Sequence, residues 1–385
     1  MNTIQNAYIT SIGSFLPGKA IPNDQMEQVL GLVDGQPSRL RKRILKSNGI
    51  KSRHYAINNG KPSHLNEEMA ALAVKSALKA RNMSLENIDM LAAGTTMPDI
   101  LVPGFASMIH GRLGGTATDI LSTAGVCCAG MTAMKAVVNS IKCGEHTTAI
   151  SVASENPSVM LQGSRFEKES RSETDSEYEF FNADFLRWML SDGAGAVVVE
   201  NKPNPQGISL KVEWISMRSY AHNLPTCMYL GTCSPHDLKA GNTWLGESNI
   251  AMAERKGNLL YQQDIKLLKE HTIEKGAEEA ARLQSEGFFS ANDIDHFLPH
   301  ISSYFFEEKS YQCLADLGVA IPKERWFTNL ATMGNTGAAS IYIILEEAIR
   351  SGRIKPNDRI LMMVPESGRF SYSYALLTCI NNCFS

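Results

Sequence analysis

Residues 84–91 read SLENIDML and residues 290–297 read SANDIDHF, so a similar stretch recurs 206 positions further along the chain. Each copy follows a segment with small and apolar residues at helical spacing, EEMAALAVKSALKARN at 67–82 and IEKGAEEAARLQSEG at 273–287. Each copy then runs into a short apolar segment that is typical of a β-strand. The repetition indicates a duplicated chain, and chance matching of a few residues is the alternative.

The repeat continues at the same offset, because CAGM at 128–131 falls opposite GNTG at 334–337. Each stretch is predicted to begin a helix of small residues, and glycines at 144 and 352 stand where such helices end. A strand follows in each copy, ending at Glu155 and at Glu366. Alternating strands and helices predict an α/β fold in layers, with halves at 1–205 and 206–385. We expect the active site at the seam between these halves.

The composition excludes several classes of function. Of the 385 residues, 43% are apolar and 20% charged, and the net charge of -3 gives no basic field that would attract nucleic acid. The first residues lack a basic segment followed by an apolar one, and no apolar stretch approaches the roughly 18 residues of a membrane span. Eight cysteines occur without the CxxC pairs of a zinc site. We therefore expect a cytoplasmic protein without a membrane span.

Cys128 lies between a predicted strand, ATDIL at 117–121, and a helix that begins near Ala129. Unpaired N–H groups and the dipole at a helix N-terminus favour an anion, so we expect a lowered pKa for this thiol. Small neighbours leave room for an acyl chain beside the sulfur. The alternative is a cysteine that only fills space in the core, and the adjacent Cys127 is a rival nucleophile.

Two side chains of the second half complete a possible catalytic set. His300 follows an apolar strand, and a neutral imidazole can donate or accept a proton. Asn335 stands at the predicted start of the helix that the repeat relates to the Cys128 helix. A carboxamide beside an imidazole can hold the oxygen of an enolate, the anion formed when a malonyl group loses CO₂. Taken singly, each is also explained as a structural histidine or a turn asparagine.

These three segments, together with SDGAGAVV at 191–198 and ILKSNGIKSR at 44–53, resemble β-ketoacyl-acyl-carrier-protein synthase III over nearly the whole chain. The resemblance implies a duplicated thiolase-like fold of αβαβα layers, usually in a homodimer. It also implies that Cys128 accepts an acyl group from coenzyme A or an acyl carrier protein. His300 and Asn335 would then hold a malonyl or β-ketoacyl thioester while a carbon–carbon bond forms by Claisen condensation. No permanently bound cofactor is implied.

The chain also departs from that family. PESGRF at 365–370 replaces the usual glycine-rich stretch, and segments 165–179 and 222–246 look inserted, the latter as a possible cover of the acyl tunnel. These features resemble the ketosynthase/cyclases of dialkylresorcinol, cyclohexanedione and stilbene pathways; a fatty-acid-initiating synthase is the alternative. Related alkene and pyrone synthases place a glutamate base where this chain has Val102. Glu155 is a candidate replacement, or else a structurally paired carboxylate.

Basic residues are expected to receive the phosphates of coenzyme A or of the carrier protein. The candidates are Arg39, Arg43 and Arg53, within a cluster that includes Arg41, Lys42 and Lys46; a solvated helix face is the alternative.

Three other classes compete with the condensing enzyme. A papain-like protease shares the order Cys, His, Asn but has its cysteine near a mature N-terminus. A degradative thiolase would have a Cys-x-Gly turn near the C-terminus, where this chain has Cys379-Ile380-Asn381. A non-catalytic partner subunit would lack the nucleophile.

Overall fold

The computed structural model of the chain describes residues 4–167 and 177–381. The strands of the first half are β1 (Tyr8–Phe15), β2 (Ile21–Pro22), β3 (Ser52–Arg53), β4 (Ile57–Asn58), β5 (Lys61–Pro62), β6 (Met90–Thr95), β7 (Asp119–Ala124), β8 (Thr148–Glu155) and β9 (Gly193–Glu200). Those of the second half are β10 (Ile208–Ser219), β11 (Met228–Tyr229), β12 (Gln262–Gln263), β13 (His296–Pro299), β14 (Arg359–Glu366) and β15 (Ser371–Asn381).

The helices are α1 (Met26–Leu30), α2 (Arg41–Asn48), α3 (Asn66–Arg81), α4 (Phe105–Leu113), α5 (Cys128–Cys143), α6 (Glu177–Arg187), α7 (Ile250–Arg255), α8 (Ile265–Ser285), α9 (Glu307–Asp316), α10 (Leu330–Met333) and α11 (Ser340–Arg350).

The main strands of the described chain form one continuous sheet in the order β13-β14-β15-β10-β1-β9-β8-β6-β7. In the first half, β6 pairs in parallel with β7 and β8, while β8, β9 and β1 pair antiparallel. The second half repeats this pattern, with β13 parallel to β14, and β14, β15 and β10 antiparallel. Only two residue pairs, Tyr8 with Lys211 and Ile9 with Leu210, join β1 to β10. The pairing confirms the duplication predicted from residues 84–91 and 290–297.

Packing between the two halves of the sheet produces the layers. Helices α5 and α11 share one core with strands of both halves, which includes Met131, Tyr342, Val197 and Met362. Helices α3 and α4 cover the outer face of the first half, and α8 packs on the outer face of the second. The chain is therefore an α/β protein with αβαβα layers and a central helical layer. The shared core buries apolar area from both halves, so the boundary near residue 205 stays a prediction.

Close approach within the central layer depends on glycine. A Cβ added at Gly130 in α5 would lie 2.5 Å from Ala338 O and 2.9 Å from Ala153 Cβ. A Cβ at Gly94 in β6 would lie 2.5 Å from Ala129 O. Because interiors are close-packed, these positions exclude larger residues and fix how near α5 comes to its neighbours.

The second half departs from the first just before α11. The counterpart of β7 is reduced to an isolated parallel bridge between Phe297 and Trp326. We predicted a helix beginning at Asn335, but α11 begins at Ser340 after a short 3₁₀ turn at Gly337–Ala339. Asn335 instead forms a bridge with Leu190, in which the Ser191 N–H donates to Asn335 O at 2.8 Å. The asparagine is therefore held by backbone pairing between the halves rather than by a helix.

Across the parts of the chain that the structure describes, no helix combines the length and apolar character of a membrane span. The same residues contain no cluster of three or more histidine, cysteine or carboxylate side chains suited to a metal ion. The predicted insert at 165–179 lies mostly outside the described residues.

Candidate active site

A cavity of about 750 Å³ lies at the seam between the halves, where the sequence placed the active site. The first half contributes Cys127 and Glu155 to its wall, and the second contributes His300 and Asn335. Most of the remaining wall is apolar, with Phe185, Leu186, Met189, Leu190, Met228 and Leu268 among its residues. A largely apolar cavity with a few convergent polar groups is typical of a binding site for a small molecule.

Equivalent elements bring these groups together. Glu155 ends β8, and His300 directly follows β13, which is the counterpart of β6 in the second half. Cys127 immediately precedes α5, and Asn335 lies in the segment before α11. The duplicated arrangement therefore places strand ends and helix starts of both halves around one space.

The two adjacent cysteines differ in the direction of their side chains. Cys127 lines the cavity. Cys128 is 3% exposed, and its Sγ lies 3.3 Å from Val364 O and 3.8 Å from Ser371 O, against β14 and β15. The structure thus brings Cys127, rather than the Cys128 thiol, beside His300 and Asn335. The assignment of Cys128 as nucleophile stays a prediction, with Cys127 as its rival.

The environment of the helix N-terminus corrects one expectation. Glu366 Oε2 accepts hydrogen bonds from the backbone N–H groups of Val126 and Cys128, both at 3.0 Å. This carboxylate already binds the donors that were expected to stabilise a thiolate. Burial, followed by the charge of Glu366, raises the pKa of the Cys128 thiol well above its ordinary value, and the same two causes raise the pKa of Cys127. The expected lowering of the Cys128 pKa is therefore wrong in this arrangement.

His300 is a neutral histidine, as expected. Burial lowers its pKa to about 4, so the imidazole carries no charge at neutral pH. Its backbone N–H donates to Met363 O at 2.8 Å, which ties the residue to β14. Its Nε2 atom is buried and has no hydrogen-bond partner within the described residues. An unpartnered polar atom at a cavity wall is costly unless a ligand or water satisfies it, so this nitrogen is available to a substrate.

Asn335 has its carboxamide oriented by the turn that follows it. The Gly337 N–H donates to Asn335 Oδ1 at 3.0 Å. Because the oxygen is used in this bond, the NH₂ group is the part of the side chain that can donate to a substrate oxygen. Asn335 is 5% exposed, so such a bond would form in a desolvated site.

The sequence left open whether Glu155 is a catalytic residue or a structurally paired carboxylate, and its surroundings have features of both. Its Oε1 atom accepts from Thr96 N at 3.0 Å, from Thr96 Oγ1 at 2.6 Å and from Ala338 N at 3.4 Å. The residue also lines the cavity. Burial raises its pKa to about 8, so the carboxyl group keeps its proton at neutral pH. It is thus a structurally paired acid that faces the cavity.

Several cavity residues were not predicted. Gln263 lies in β12 and Tyr261 just before it, and both line the cavity; Glu366, at the end of β14, lies between the lining residues Pro365 and Ser367. The predicted tunnel cover at 222–246 contributes Met228 to the cavity wall. The sequence offered two signals for Glu366: the repeat, which places it opposite Glu155, and the replacement of a glycine-rich stretch by PESGRF. No repeat or motif pointed to Tyr261 or Gln263.

The basic residues separate into two groups. Arg53 is fully buried, and its guanidinium donates to Asn23 Oδ1 at 2.8 Å and to Trp188 O at 3.3 Å. The prediction that Arg53 binds a cofactor is wrong, because a buried side chain cannot reach a carrier protein or a phosphate. Arg39 is exposed, and so is Arg43, which lines a second cavity of about 820 Å³ together with Lys269. Phe185, Met189 and Leu268 line both cavities, so the two adjoin.

The chain is similar in sequence to known proteins. Residues 285–377 match the family profile described as 3-oxoacyl-[acyl-carrier-protein (ACP)] synthase III C terminal. A β-ketoacyl-[acyl-carrier-protein] synthase III from Xanthomonas oryzae pv. oryzae is 24% identical over 369 residues, which cover 96% of this chain and 97% of the relative.

Solved structures share the fold. AbyA1, a tetronic acid condensing enzyme, superimposes with a TM-score of 0.74 at 20% identity, covering 97% of this chain and 99% of that chain. A cysteine-to-serine variant of Xanthomonas campestris OleA, solved with bound lauric acid and lauroyl-CoA, gives a TM-score of 0.72 at 20% identity over 97% and 99% of the two chains. Along nearly its whole length the chain is therefore similar to β-ketoacyl-[acyl-carrier-protein] synthase III, and it shares the fold of condensing enzymes of this type.

Proposed function

We propose that this protein joins two acyl thioesters by Claisen condensation, as a specialised ketosynthase of lipid or polyketide biosynthesis. The observation that carries the proposal is the convergence of Cys127, Glu155, His300 and Asn335 at one largely apolar cavity between the halves, with Cys128 next to Cys127 in the chain. A nucleophile that holds an acyl group and donors that hold an enolate oxygen are the two requirements of this chemistry. The site offers groups for both.

In the first step a cysteine thiol attacks the carbonyl carbon of an acyl thioester, and the donor's thiol leaves. Cys128 keeps the nucleophile assignment, because it begins α5 and carries the Cys-Ala-Gly signature of the family. Cys127 is the second candidate, because its side chain lines the cavity. The acyl enzyme is a thioester in either case.

In the second step a malonyl or β-ketoacyl thioester forms an enolate that attacks the bound acyl group. The neutral imidazole of His300 and the NH₂ group of Asn335 would hold the thioester oxygen, where negative charge develops. A neutral histidine suits this role when its Nε2 carries the proton, because it can then donate without adding a charge to the site. The unpartnered Nε2 of His300 supports the assignment.

The shape of the apolar space supports two acyl chains. A further cavity of about 420 Å³ adjoins the main one, and the two share Thr272, Ser302 and Pro365. Room on both sides of the reacting groups favours a β-ketoacyl partner with a chain of its own. For ring closure, Glu155 would supply the proton transfer, since a pKa of about 8 suits an acid or base near neutral pH.

Substrates would enter through the cavity of about 820 Å³ at the surface. The exposed side chains of Arg43 and Lys269 lie at its wall, where they can bind the phosphates of coenzyme A or of a carrier protein's phosphopantetheine arm. Arg39, exposed just before α2, would add to the positive surface that an acidic carrier protein meets. We propose that the reaction takes place in the cytoplasm.

A homodimer would cover the free edge of the sheet. β7 is the last strand of the order at that end, and Ile120 and Leu121 on it are 39% and 38% exposed. Leu101 and Val102, in the preceding loop, are 68% and 82% exposed. An exposed apolar edge strand favours association, and a two-fold axis beside β7 would pair it with its copy.

The fatty-acid-initiating synthase is a second candidate, because a relative that aligns over 96% of this chain is named β-ketoacyl-[acyl-carrier-protein] synthase III. The two candidates differ in their second substrate and in the product. A β-keto product from acyl-coenzyme A and malonyl carrier protein alone would favour the initiating enzyme. A cyclohexanedione or resorcinol precursor from a β-ketoacyl thioester would favour the specialised one.

One experiment tests the shared chemistry. The protein is incubated with individual acyl thioesters, and covalent adducts are detected by intact mass and located by peptide mapping. We expect an adduct on Cys128 that is lost in Cys128→Ala and kept in Cys127→Ala. An adduct mapped to Cys127 would show that Cys127, rather than Cys128, is the nucleophile. A wild-type protein that forms no adduct with any acyl thioester would contradict the proposed function.

A further inference from the structure

We propose that Glu366 is the proton acceptor for the nucleophilic thiol of the Cys127–Cys128 pair. This inference rests on the proposed function and adds to it the residue that activates the nucleophile. Glu366 stands at the end of β14 in the second half and reaches across the seam to the start of α5 in the first.

The Glu366 carboxylate is anchored by hydrogen bonds to the backbone around Cys127. Its Oε2 atom accepts from Val126 N and Cys128 N, and these two donors lie on either side of Cys127. Its other oxygen, Oε1, accepts no hydrogen bond from the described residues. Glycines allow this approach, because a Cβ at Gly125 would lie 3.3 Å from Oε2 and one at Gly368 would lie 3.4 Å from Oε1. One oxygen is therefore anchored and the other is available for a proton.

Glu366 is also the charged group that acts most strongly on both thiols. Its charge is the first electrostatic cause, after burial, of the raised pKa of Cys127 and of Cys128. Its hydrogen bonds to the N–H groups of Val126 and Cys128 place the carboxylate beside the backbone that carries both thiols. Because a carboxyl and a thiol that interact strongly titrate as a pair, one proton can pass between them while the net charge stays the same.

The other titratable groups of the cavity are less suited to the task. Burial keeps His300 neutral and makes it a weak base, with a pKa of about 4. Glu155 holds its proton at neutral pH, and its Oε1 is engaged by Thr96. The carboxyl group anchored on the backbone around Cys127 is therefore that of Glu366.

The proton transfer balances within the acylation step. The S–H bond breaks and its proton goes to Glu366, while the sulfur electron pair attacks the carbonyl carbon of the incoming thioester. The carbon–sulfur bond of the donor then breaks, and the departing thiolate takes the proton from Glu366. Glu366 ends the step as the carboxylate with which it began.

The test measures single-turnover acylation by an acyl-coenzyme A across pH 5.5 to 10, with intact mass as the readout. For Glu366→Gln we expect acylation about 10²- to 10³-fold slower than wild type at pH 7, the range typical of a lost general base. We also expect the difference to shrink as pH rises, because direct ionisation of the thiol then replaces the lost base. Glu366→Asp should keep the wild-type pH profile at a reduced rate. Glu213→Gln, which alters a carboxylate bonded to Thr378 on the sheet, is the matched control and should acylate like wild type.

A second variant distinguishes loss of the proton acceptor from a loss of folding. Glu366→Gly opens space for a small carboxylate, and added formate should restore acylation at neutral pH. A Glu366→Gln protein that acylates at the wild-type rate over the whole pH range would overturn the proposal. So would a Glu366→Gly protein that acylates faster than wild type without formate, because the carboxylate would then merely block the helix N-terminus. Failure of the wild-type protein to acylate at all would instead refute the proposed function.

Discussion

Replacing Glu155 by glutamine should make the protein more stable, and increasingly so as pH rises. Burial raises the pKa of Glu155 from its ordinary value of 4.5 to about 8. Between these two values the folded protein keeps a proton that the unfolded chain has released. The stabilising contribution of this proton is fully present below pH 4.5 and is lost as pH rises through 8.

The size of the effect follows from the shift. One proton contributes a slope of about 1.4 kcal/mol per pH unit, so the wild-type protein loses roughly 4 kcal/mol between pH 5 and pH 8 through this residue. Glutamine has the shape of the protonated acid, and its oxygen can still accept from Thr96 N and Oγ1. It has no ionised form, so Glu155→Gln should match wild type near pH 5 and exceed it by a few kcal/mol at pH 8.

Urea unfolding of both proteins at pH 5, 6, 7 and 8 provides the measurement. Asp192, another buried carboxyl with its pKa raised to about 7 by burial, adds a slope of its own to both proteins, and its charge is one of the causes that raise the pKa of Glu155. Glu213→Gln, at a half-buried position of β10, is the matched control. A difference between Glu155→Gln and wild type that does not change with pH would refute the assignment of a buried, protonated Glu155.

Three further predictions concern packing and assembly. Tyr342→Phe removes the hydroxyl that donates to Gly130 O at 2.7 Å and lies 2.7 Å from Ser151 Oγ, so urea unfolding should show a loss of about 1–3 kcal/mol. Gly130→Ala places a methyl group 2.5 Å from Ala338 O, and the overpacking should cost about 1–3 kcal/mol or more in the same assay. Leu121→Arg puts a charge on the exposed edge strand β7 and should convert a dimer to monomers in light scattering; unchanged dimers would place the interface elsewhere.

Much of the fold could be predicted from the sequence, because the duplication repeats the same local sequence features in both halves. Ser84 and Ser290 each precede a short 3₁₀ turn and a buried strand, as the matched stretches predicted. The helix that begins at Cys128 was predicted to within a residue, and its C-cap is Gly144 in the left-handed conformation. Small residues, alternation of elements and capping glycines act locally, so they appear in the sequence itself.

The details of the site depended on interactions that sequence periodicity does not record. The expected start of a helix at Asn335 was wrong, because a bridge to Leu190, far away in the chain, holds the segment extended. The cofactor role of Arg53 was wrong, because folding buries its guanidinium against Asn23 and Trp188. Both residues are polar in the sequence, and only their tertiary partners distinguish a structural role from a functional one.

By itself the sequence determined the layered α/β architecture and its duplication, because hydrophobic periodicity and glycine positions specify elements locally. Tertiary structure alone decided the chemistry of those residues. Burial set the protonation of His300 and Glu155, and the approach of Glu366 to the start of α5 reversed the electrostatics expected for Cys128. Desolvation and charge act through space, so the pKa of a side chain depends on neighbours that lie hundreds of positions away in the chain.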